Sequence, residues 1–459
     1  MDYSRLLAGI PNYKTFFTVD EMDQHSQELA QKYPNICQCT LEGYSRSGNP
    51  IYCLKIGNGR KKALMFGCPH PNEPMGAMML EYFSEALCQD DKLRTELDYT
   101  WYLIKSIDVD GTKLNEKWFK GPFTLYNYAR NYFRPAAEEQ VEWTFPFNYK
   151  KYQFNNPMPE TSVLMKLIDE QKPEFMYSLH NAGFGGTYWY ITYELKEIWE
   201  KLHLASAKQQ IPLSLGEPEA PYMIQFAPAI FKMTGSQDAY DYDEKYADEP
   251  AETLMVAGTS SDDYAKKYGT CCLVTELPYF YSPKIASAKR MGFARKEAMR
   301  QGAEIKLANW RKIEDLYALY KTDVSSDNPF AKMLNMMIKL RDSSYKSMLK
   351  FIESKPEFND ECKESEAFDN IEITKFYALL GWGLAVRGAE HERDKRQGSE
   401  YQRLEKIVQQ IDAAMKVMAD DVEASIAYSV VPIKKLVSIQ LESGMIVADQ
   451  LRQRRQRDV

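Results

Sequence analysis

The sequence predicts an α/β fold: a mixed twisted sheet flanked by helices, followed by an all-α C-terminal region. Short apolar runs alternate with helix-period segments over about residues 10–300, the pattern of strands connected through helices. Beyond about residue 300, Gly and Pro become rare and long helix-period segments take over, which reads as a helical bundle or hairpin appendage. No apolar stretch reaches the roughly 18 residues of a membrane helix. The 459 residues therefore divide into two expected units, residues 1–300 and residues 301–459.

Residues 18–32 read as an amphipathic helix, capped by Thr18 or Asp20 and stopped by Pro34. Cys37–Leu41, Ile51–Ile56 and Ala63–Cys68 read as strands, Glu73–Leu87 as a helix and Thr100–Ile107 as a strand. Residues 111–157 are crowded with Tyr, Phe, Trp, Asn and Pro and read as ordered loop. Thr161–Gln171 and Glu194–Gln210 read as helices, Phe175–Leu179 and Cys271–Leu277 as apolar strands, and residues 234–262 as surface loop. Further helices are expected over 284–320, 329–353, 371–387, 401–420 and 432–456, with an acidic connector at 354–370. The basic tail from Arg452 to Arg457 reads as a helix end meeting solvent or the helix dipole.

Hydrophobic residues at 44%, charged residues at 27%, and only 23 Gly and 22 Pro exclude a disordered or collagenous chain. A net charge of −7 gives no basic excess for a general nucleic-acid binder. The expected partner is thus neither nucleic acid nor membrane. The first ten residues show no secretory apolar segment, so a cytoplasmic location is expected. Eight cysteines without a C-x-x-C pair read as free, buried thiols. Histidine is the most restrictive count: His25, His70, His180, His203 and His391 are all there are.

Two of these five directly follow apolar strands. In Gly67-Cys68-Pro69-His70-Pro71-Asn72-Glu73-Pro74 an imidazole and a carboxylate stand three residues apart where a strand turns into a helix. That spacing lets both converge on one cation, although a solvated loop gives the same pattern. His180 closes the strand Phe175–Leu179, and strand ends are where α/β proteins build sites. A hydrolytic zinc site takes three protein ligands, His₂Glu among the known sets, and keeps one position open. His25, His203 and His391 lie in polar helical contexts and read as surface or packing residues. Glu276 ends the apolar strand of Thr270-Cys271-Cys272-Leu273-Val274-Thr275-Glu276. A carboxylate there is costly unless paired or working. It is either a general base for attacking water or the partner of a buried arginine.

In order along roughly residues 13–282, these segments resemble the M14 metallocarboxypeptidase family. Gly43-Tyr44-Ser45-Arg46-Ser47-Gly48-Asn49-Pro50-Ile51 is similar to an early family segment, and His70-Pro71-Asn72-Glu73 to its H-x-x-E motif. Asp108-Val109-Asp110-Gly111 stands where the family has N-P-D-G. Pro159-Glu160-Thr161, Lys172-Pro173 and Ser178-Leu179-His180 follow its P-E-T, K-P and L-H stretch, and Gly258–Tyr264 with Thr275-Glu276-Leu277 resemble the last loop and strand.

The resemblance implies one zinc ion on His70, Glu73 and His180, with Glu276 as general base. Ala129-Arg130-Asn131-Tyr132 looks like the N-R-N-W segment, which implies that Arg130, beside Asn131, grips a substrate carboxylate, bidentate arginine being suited to that group. Ala129 stands in place of the Asn partner. The family's oxyanion arginine has no clean match. Arg134, Lys117 and Lys120 are the candidates, and Arg134 is expected to be catalytic or else tied to Glu138 or Glu139. Met255 stands at the mobile tyrosine position, leaving Tyr240, Tyr242, Tyr246 and Tyr264 as candidates, with Tyr264 expected in the substrate site. Asp262 falls where a side-chain specificity residue can lie; capping or a loop role is its other reading.

The resulting expectation is a zinc-dependent hydrolase of a peptide or small peptide-like amide, removing a C-terminal residue. A zinc deacylase of N-acyl amino acids or modified small peptides is the alternative, and a scaffold protein without zinc the third. The helical half is expected to pack on the catalytic unit and to form a homodimer.

Overall fold

The computed structural model describes residues 3–457. Its centre is a nine-stranded mixed sheet. The strands are β1 (Cys37–Tyr44), β2 (Pro50–Ile56), β3 (Lys61–Phe66), β4 (Tyr99–Ile104), β5 (Phe175–Leu179), β6 (Tyr188–Ile191), β7 (Gln225–Ala227), β8 (Ile230–Lys232) and β9 (Cys271–Glu276). Their order across the sheet is β1-β2-β4-β3-β5-β9-β6-β8-β7. The three central strands β3, β5 and β9 are parallel neighbours. Their C-terminal ends therefore open on one edge of the sheet, and all three are buried along their length apart from Lys62, as parallel strands covered on both faces must be.

Helix α1 (Val19–Lys32) begins at Thr18, whose hydroxyl accepts from the Glu21 amide while the Glu21 carboxylate accepts from the Thr18 amide. This is a capping box. Helix α2 (Met75–Gln89) follows the His70 loop and buries ten residues. It can start so close to β5 because Gly76 has no Cβ; one added there would stand 2.3 Å from the Leu179 Cβ.

Three differences from the sequence expectation concern loops. Residues 111–157 hold helices α3 (Val109–Phe119) and α4 (Leu125–Arg130). Asp108 and Thr124 cap them through side-chain acceptors, and the aromatic residues that suggested loop are their buried faces. The polar stretch 234–262 folds into the helix Ser236–Tyr246 and two short ones. The segment 284–294 is not helical: a turn at Pro283–Ala286 leads to the short strand Arg290–Ala294, which pairs with Glu361–Lys363 inside the expected acidic connector. The β6, β7 and β8 strands lie in stretches the sequence reading left unassigned.

Further along, α5 (Pro159–Gln171) covers one sheet face and α6 (Trp199–Lys208) flanks the other. The C-terminal region consists mainly of α7 (Arg295–Ala318), α8 (Pro329–Ser354), α9 (Thr374–Asp394), α10 (Gly398–Ser425) and α11 (Ile433–Arg457). Helices α7 to α10 pack on one another, and α9 also meets α4. Helix α11 returns to the sheet, lying along α2 and α6 and against β5 and β9. Tyr99, Tyr177 and Tyr3 donate to the α11 carbonyls of Ala448, Gln440 and Met445 at 3.0, 2.9 and 3.0 Å. One apolar core runs from the sheet into the helical region without a break. In the basic tail Arg452 pairs with Asp449; the side chains of residues 454–459 lie outside the described set. All eight cysteines are free thiols, seven buried and Cys39 half-buried. No described helix is long and apolar enough to cross a membrane.

Candidate active site

Because β3, β5 and β9 end on the same edge, the residues just past them meet. His70 and Glu73 come from the loop after β3, His180 follows β5, and Glu276 closes β9. His70 Nδ1 and His180 Nδ1 are 3.1 Å apart, and each faces a Glu73 oxygen, at 3.1 and 3.0 Å. The Asn181 amide donates to the same Glu73 carboxylate at 3.2 Å. Ligand atoms of His70, Glu73 and His180 all lie within 4.8 Å of one another; among the described residues this is the group suited to a metal ion. All three are buried.

The donor set fits a divalent zinc ion. Two imidazole Nδ1 atoms turned toward each other and toward a carboxylate place three metal-ligating atoms around one point, where a cation can take the place of the ring protons. Burial, then the nearby Arg134 charge, hold His70 down to about 3, so its ring is neutral at pH 7 as a ligand must be. Burial alone would raise Glu73, but the two imidazoles outweigh it and keep the carboxyl below its ordinary range. Ser178 Oγ lies 2.8 Å from His180 Nε2, the ring nitrogen turned away from the cluster, and so fixes the ring's orientation.

Glu276 Oε1 stands 3.9 Å from His180 Nδ1. Burial, followed by the charges of Glu219 and Glu73, pushes its carboxyl well above the usual range, while Arg134 pulls it down. Arg134 projects into the same space. Its Nη2 donates to His70 Nε2 at 2.7 Å, its Nε to Gln140 at 3.1 Å, and Nη1 lies 3.6 Å from Glu73. It is tied to neither Glu138 nor Glu139.

These groups sit on the wall of a cavity of about 970 Å³. The helical region supplies much of the opposite side, with Trp310, Met337, Tyr345 and Tyr377 among the lining residues. Sequence reasoning missed Glu219 and Glu142. Glu219 accepts from the hydroxyls of Tyr188 and Tyr190 at 2.5 and 2.8 Å. Glu142 accepts from Ser261 at 2.7 Å, has its second oxygen buried without a partner, and is pushed up to about 7, mainly by burial. The alternating tyrosines of Tyr188-Trp189-Tyr190 were the available signal for the first; nothing in the local sequence marked the second.

Four expected substrate residues are not among those lining the cavity. Arg130 is turned to the helical region, bound to Glu390 and Asp412. Asn131 caps α4, its amide donating to the Asn127 carbonyl at 3.0 Å. Asp262 accepts from Thr192 at 2.6 Å and pairs with Lys266 in a short helix behind the site. Tyr264 donates to Asp169 at 2.7 Å. In each case a protein partner already engages the polar group the sequence assigned to substrate. Lys120 is likewise held by Glu21, and Tyr240, Tyr242 and Tyr246 are not among the residues lining the cavity. His25 pairs with Glu81, and a ring nitrogen of His203 lies 2.8 Å from the Pro228 carbonyl.

A buried His₂Glu cluster, an adjacent buried glutamate and a guanidinium on the wall of one cavity define a zinc-hydrolase type of site. The zinc carboxypeptidase family, Peptidase M14, matches over residues 22–301, and the chain belongs to that family. It is a family of zinc hydrolases, and zinc is its cofactor. Among solved structures, carboxypeptidase A from Helicoverpa armigera is 18% identical, with a TM-score of 0.37 over 57% of this chain and 65% of that one. A metallo-carboxypeptidase from Burkholderia cenocepacia is 14% identical, with a TM-score of 0.33 over 57% and 60%. A murein-tripeptide amidase from Escherichia coli O157 is 15% identical, with a TM-score of 0.27 over 53% and 88%. The chain thus spans just under two thirds of the first of these proteins. No curated protein matches it.

Proposed function

We propose that the protein hydrolyses an amide bond of a peptide or small peptide-like substrate and removes its C-terminal residue. The observation that carries this reading is the convergence of His70, Glu73 and His180 with Glu276, 3.9 Å from the cluster, on one cavity wall. His70, Glu73 and His180 would hold zinc, which when bound polarises a carbonyl and acidifies water. Glu276 takes the proton from the attacking water and passes it to the leaving nitrogen. Its raised pKa suits both acts, and a dication nearby lowers it toward neutrality. Arg134 stabilises the developing oxyanion. In this reading residues 1–300 carry the chemistry, while residues 301–459 roof the cavity and brace the sheet. Eight free thiols support a reducing, cytoplasmic setting. The helical region is also the proposed contact of a homodimer, which size-exclusion chromatography tests; a monomer at micromolar concentration ends that idea.

The roof over the cavity and the diversion of Arg130 favour a second reading, a deacylase of N-acyl amino acids or modified small peptides. A panel of free peptides and N-acyl amino acids separates the two. Release of a free C-terminal residue from the peptides supports the carboxypeptidase reading, and cleavage of the N-acyl amino acids alone, to the free acid and the amino acid, supports the deacylase. Zinc-loaded Glu276→Gln protein is expected to keep its metal and lose turnover in either case. Retained turnover sinks the general-base role.

A further inference from the structure

Five cationic side chains line the cavity: Arg134, Arg295, Lys306, Arg341 and Lys355. Arg134 is held by Glu73 and His70, Arg295 by Glu217, and Arg341 by Glu314. Lys355 sits 5.9 Å from the centre of the Phe351 ring. Lys306 differs from all of these. Among the described residues no carboxylate lies within ion-pair distance of it, and no ring is stacked on it. Its position on the helix is equally distinctive. Met299, Gly302, Trp310 and Ile313 form the buried stripe of α7, and Lys306 falls in the middle of that stripe at helical spacing. The Lys306 side chain is nevertheless exposed, and it faces the cavity. Crowding by protein depresses the ammonium below the ordinary lysine range, with no opposing carboxylate contributing.

An exposed ammonium that faces a cavity and has no carboxylate partner is free to meet an anion that enters it. Meanwhile Glu73, Glu142, Glu219 and Glu276 line the strand-end wall of the same cavity, where Arg134 is already engaged by Glu73 and His70. We propose that Lys306 is a specificity residue that receives a carboxylate of the substrate, so that the helical region, and not Arg130, reads the anionic group. This rests on the amide-hydrolase reading for the identity of the substrate, not for the binding itself. The carboxylate has two sources, the C-terminus of a peptide or an acidic side chain.

The test uses the full-length, zinc-loaded Glu276→Gln protein titrated by calorimetry with three probes: N-acetyl-Ala-Ala-Glu, its C-terminal amide, and N-acetyl-Ala-Ala-Gln. The parent is expected to bind the first at least about tenfold more tightly than one of the other two, as a charge-assisted contact requires. A preference over the amide identifies the terminal carboxylate, and a preference over the Gln peptide identifies the side chain. Lys306→Met and Lys306→Gln should each abolish that preference, and Lys306→Arg should retain it, with zinc content and melting temperature reporting that the variants fold. A parent with no preference, or a preference that survives both neutral variants, overturns the proposal. Hydrolysis of the three probes by the Glu276 protein is scored separately. Lys306-dependent binding without any hydrolysis sinks the hydrolase reading while upholding this one.

Discussion

Arg130 and Glu390 form a two-pronged ion pair, Nη2 to Oε1 at 2.6 Å and Nη1 to Oε2 at 3.3 Å, across 260 residues of chain. With Nε bound to Asp412 at 2.7 Å, the guanidinium ties α4 to α9 and α10. An arginine spent this way stabilises the junction between sheet and helical region. Arg130→Met is therefore expected to cost about 1–3 kcal/mol of stability, read by denaturant unfolding, and to leave KM for a carboxylate substrate where it was. A KM raised without loss of stability would return Arg130 to the substrate.

Arg134 meets His70 differently. Arginine has only N–H donors, so the 2.7 Å contact makes His70 Nε2 the acceptor and puts the ring proton on Nδ1. A ligand Nδ1 needs the opposite tautomer, whose Nε2–H repels the guanidinium into the cavity. Arg134→Met is thus expected to keep the full zinc complement and to lose about 10²–10³-fold in kcat. Unchanged kcat in the metal-loaded variant refutes the oxyanion role.

Behind the site, Gly444 on α11 lets the Tyr177 ring lie against the helix; an added Cβ would stand 2.7 Å from Cε1. Tyr177 also donates to the Gln440 carbonyl, and Gln440 donates to the His180 carbonyl at 3.3 Å. Gly444→Ala is expected to destabilise by about 1–3 kcal/mol through overpacking, seen as a lower melting temperature. It should also weaken zinc retention under chelator, because the same helix supports β5. A variant as stable as the parent would show that the ring can shift freely.

The parts of the site legible in the sequence are those written by strand ends. His70, Glu73, His180 and Glu276 each follow an apolar run, and parallel pairing of β3, β5 and β9 brings such ends together whatever the loops do. Arg130, Asn131, Asp262 and Tyr264 were assigned by motif position alone; Asn131 turns back on Asn127, while Arg130, Asp262 and Tyr264 find partners in distant chain. Glu390 and Asp412 belong to helices that no motif covers, and Asp169 lies on α5. Helices α3 and α4 were hidden for a related reason. Their periodicity is carried by aromatic residues such as Trp118, Phe119 and Tyr128, which the composition of the stretch made look like loop. Lys306 was legible in principle, as a charge inside an apolar stripe, but its meaning depends on a cavity that only the packed structure defines.

Asp108 caps α3 by accepting from the Gly111 amide at 3.0 Å, while its second oxygen has no hydrogen-bond partner. Burial raises its pKa to about 7, and the Arg46 charge opposes this only in part. A carboxyl whose folded pKa is raised binds its proton more tightly in the native state, so its contribution is complete below the unfolded value of about 4 and is lost as pH rises through about 7. Asp108→Asn keeps the cap acceptor and cannot ionise. Its stability relative to the parent should therefore rise between pH 4 and pH 8, by about 2–4 kcal/mol at most, with the difference flat above that range. Parallel urea titrations of both proteins across pH give the comparison. A difference independent of pH would mean that Asp108 is ionised throughout, held by Arg46, and that its buried oxygen finds a partner.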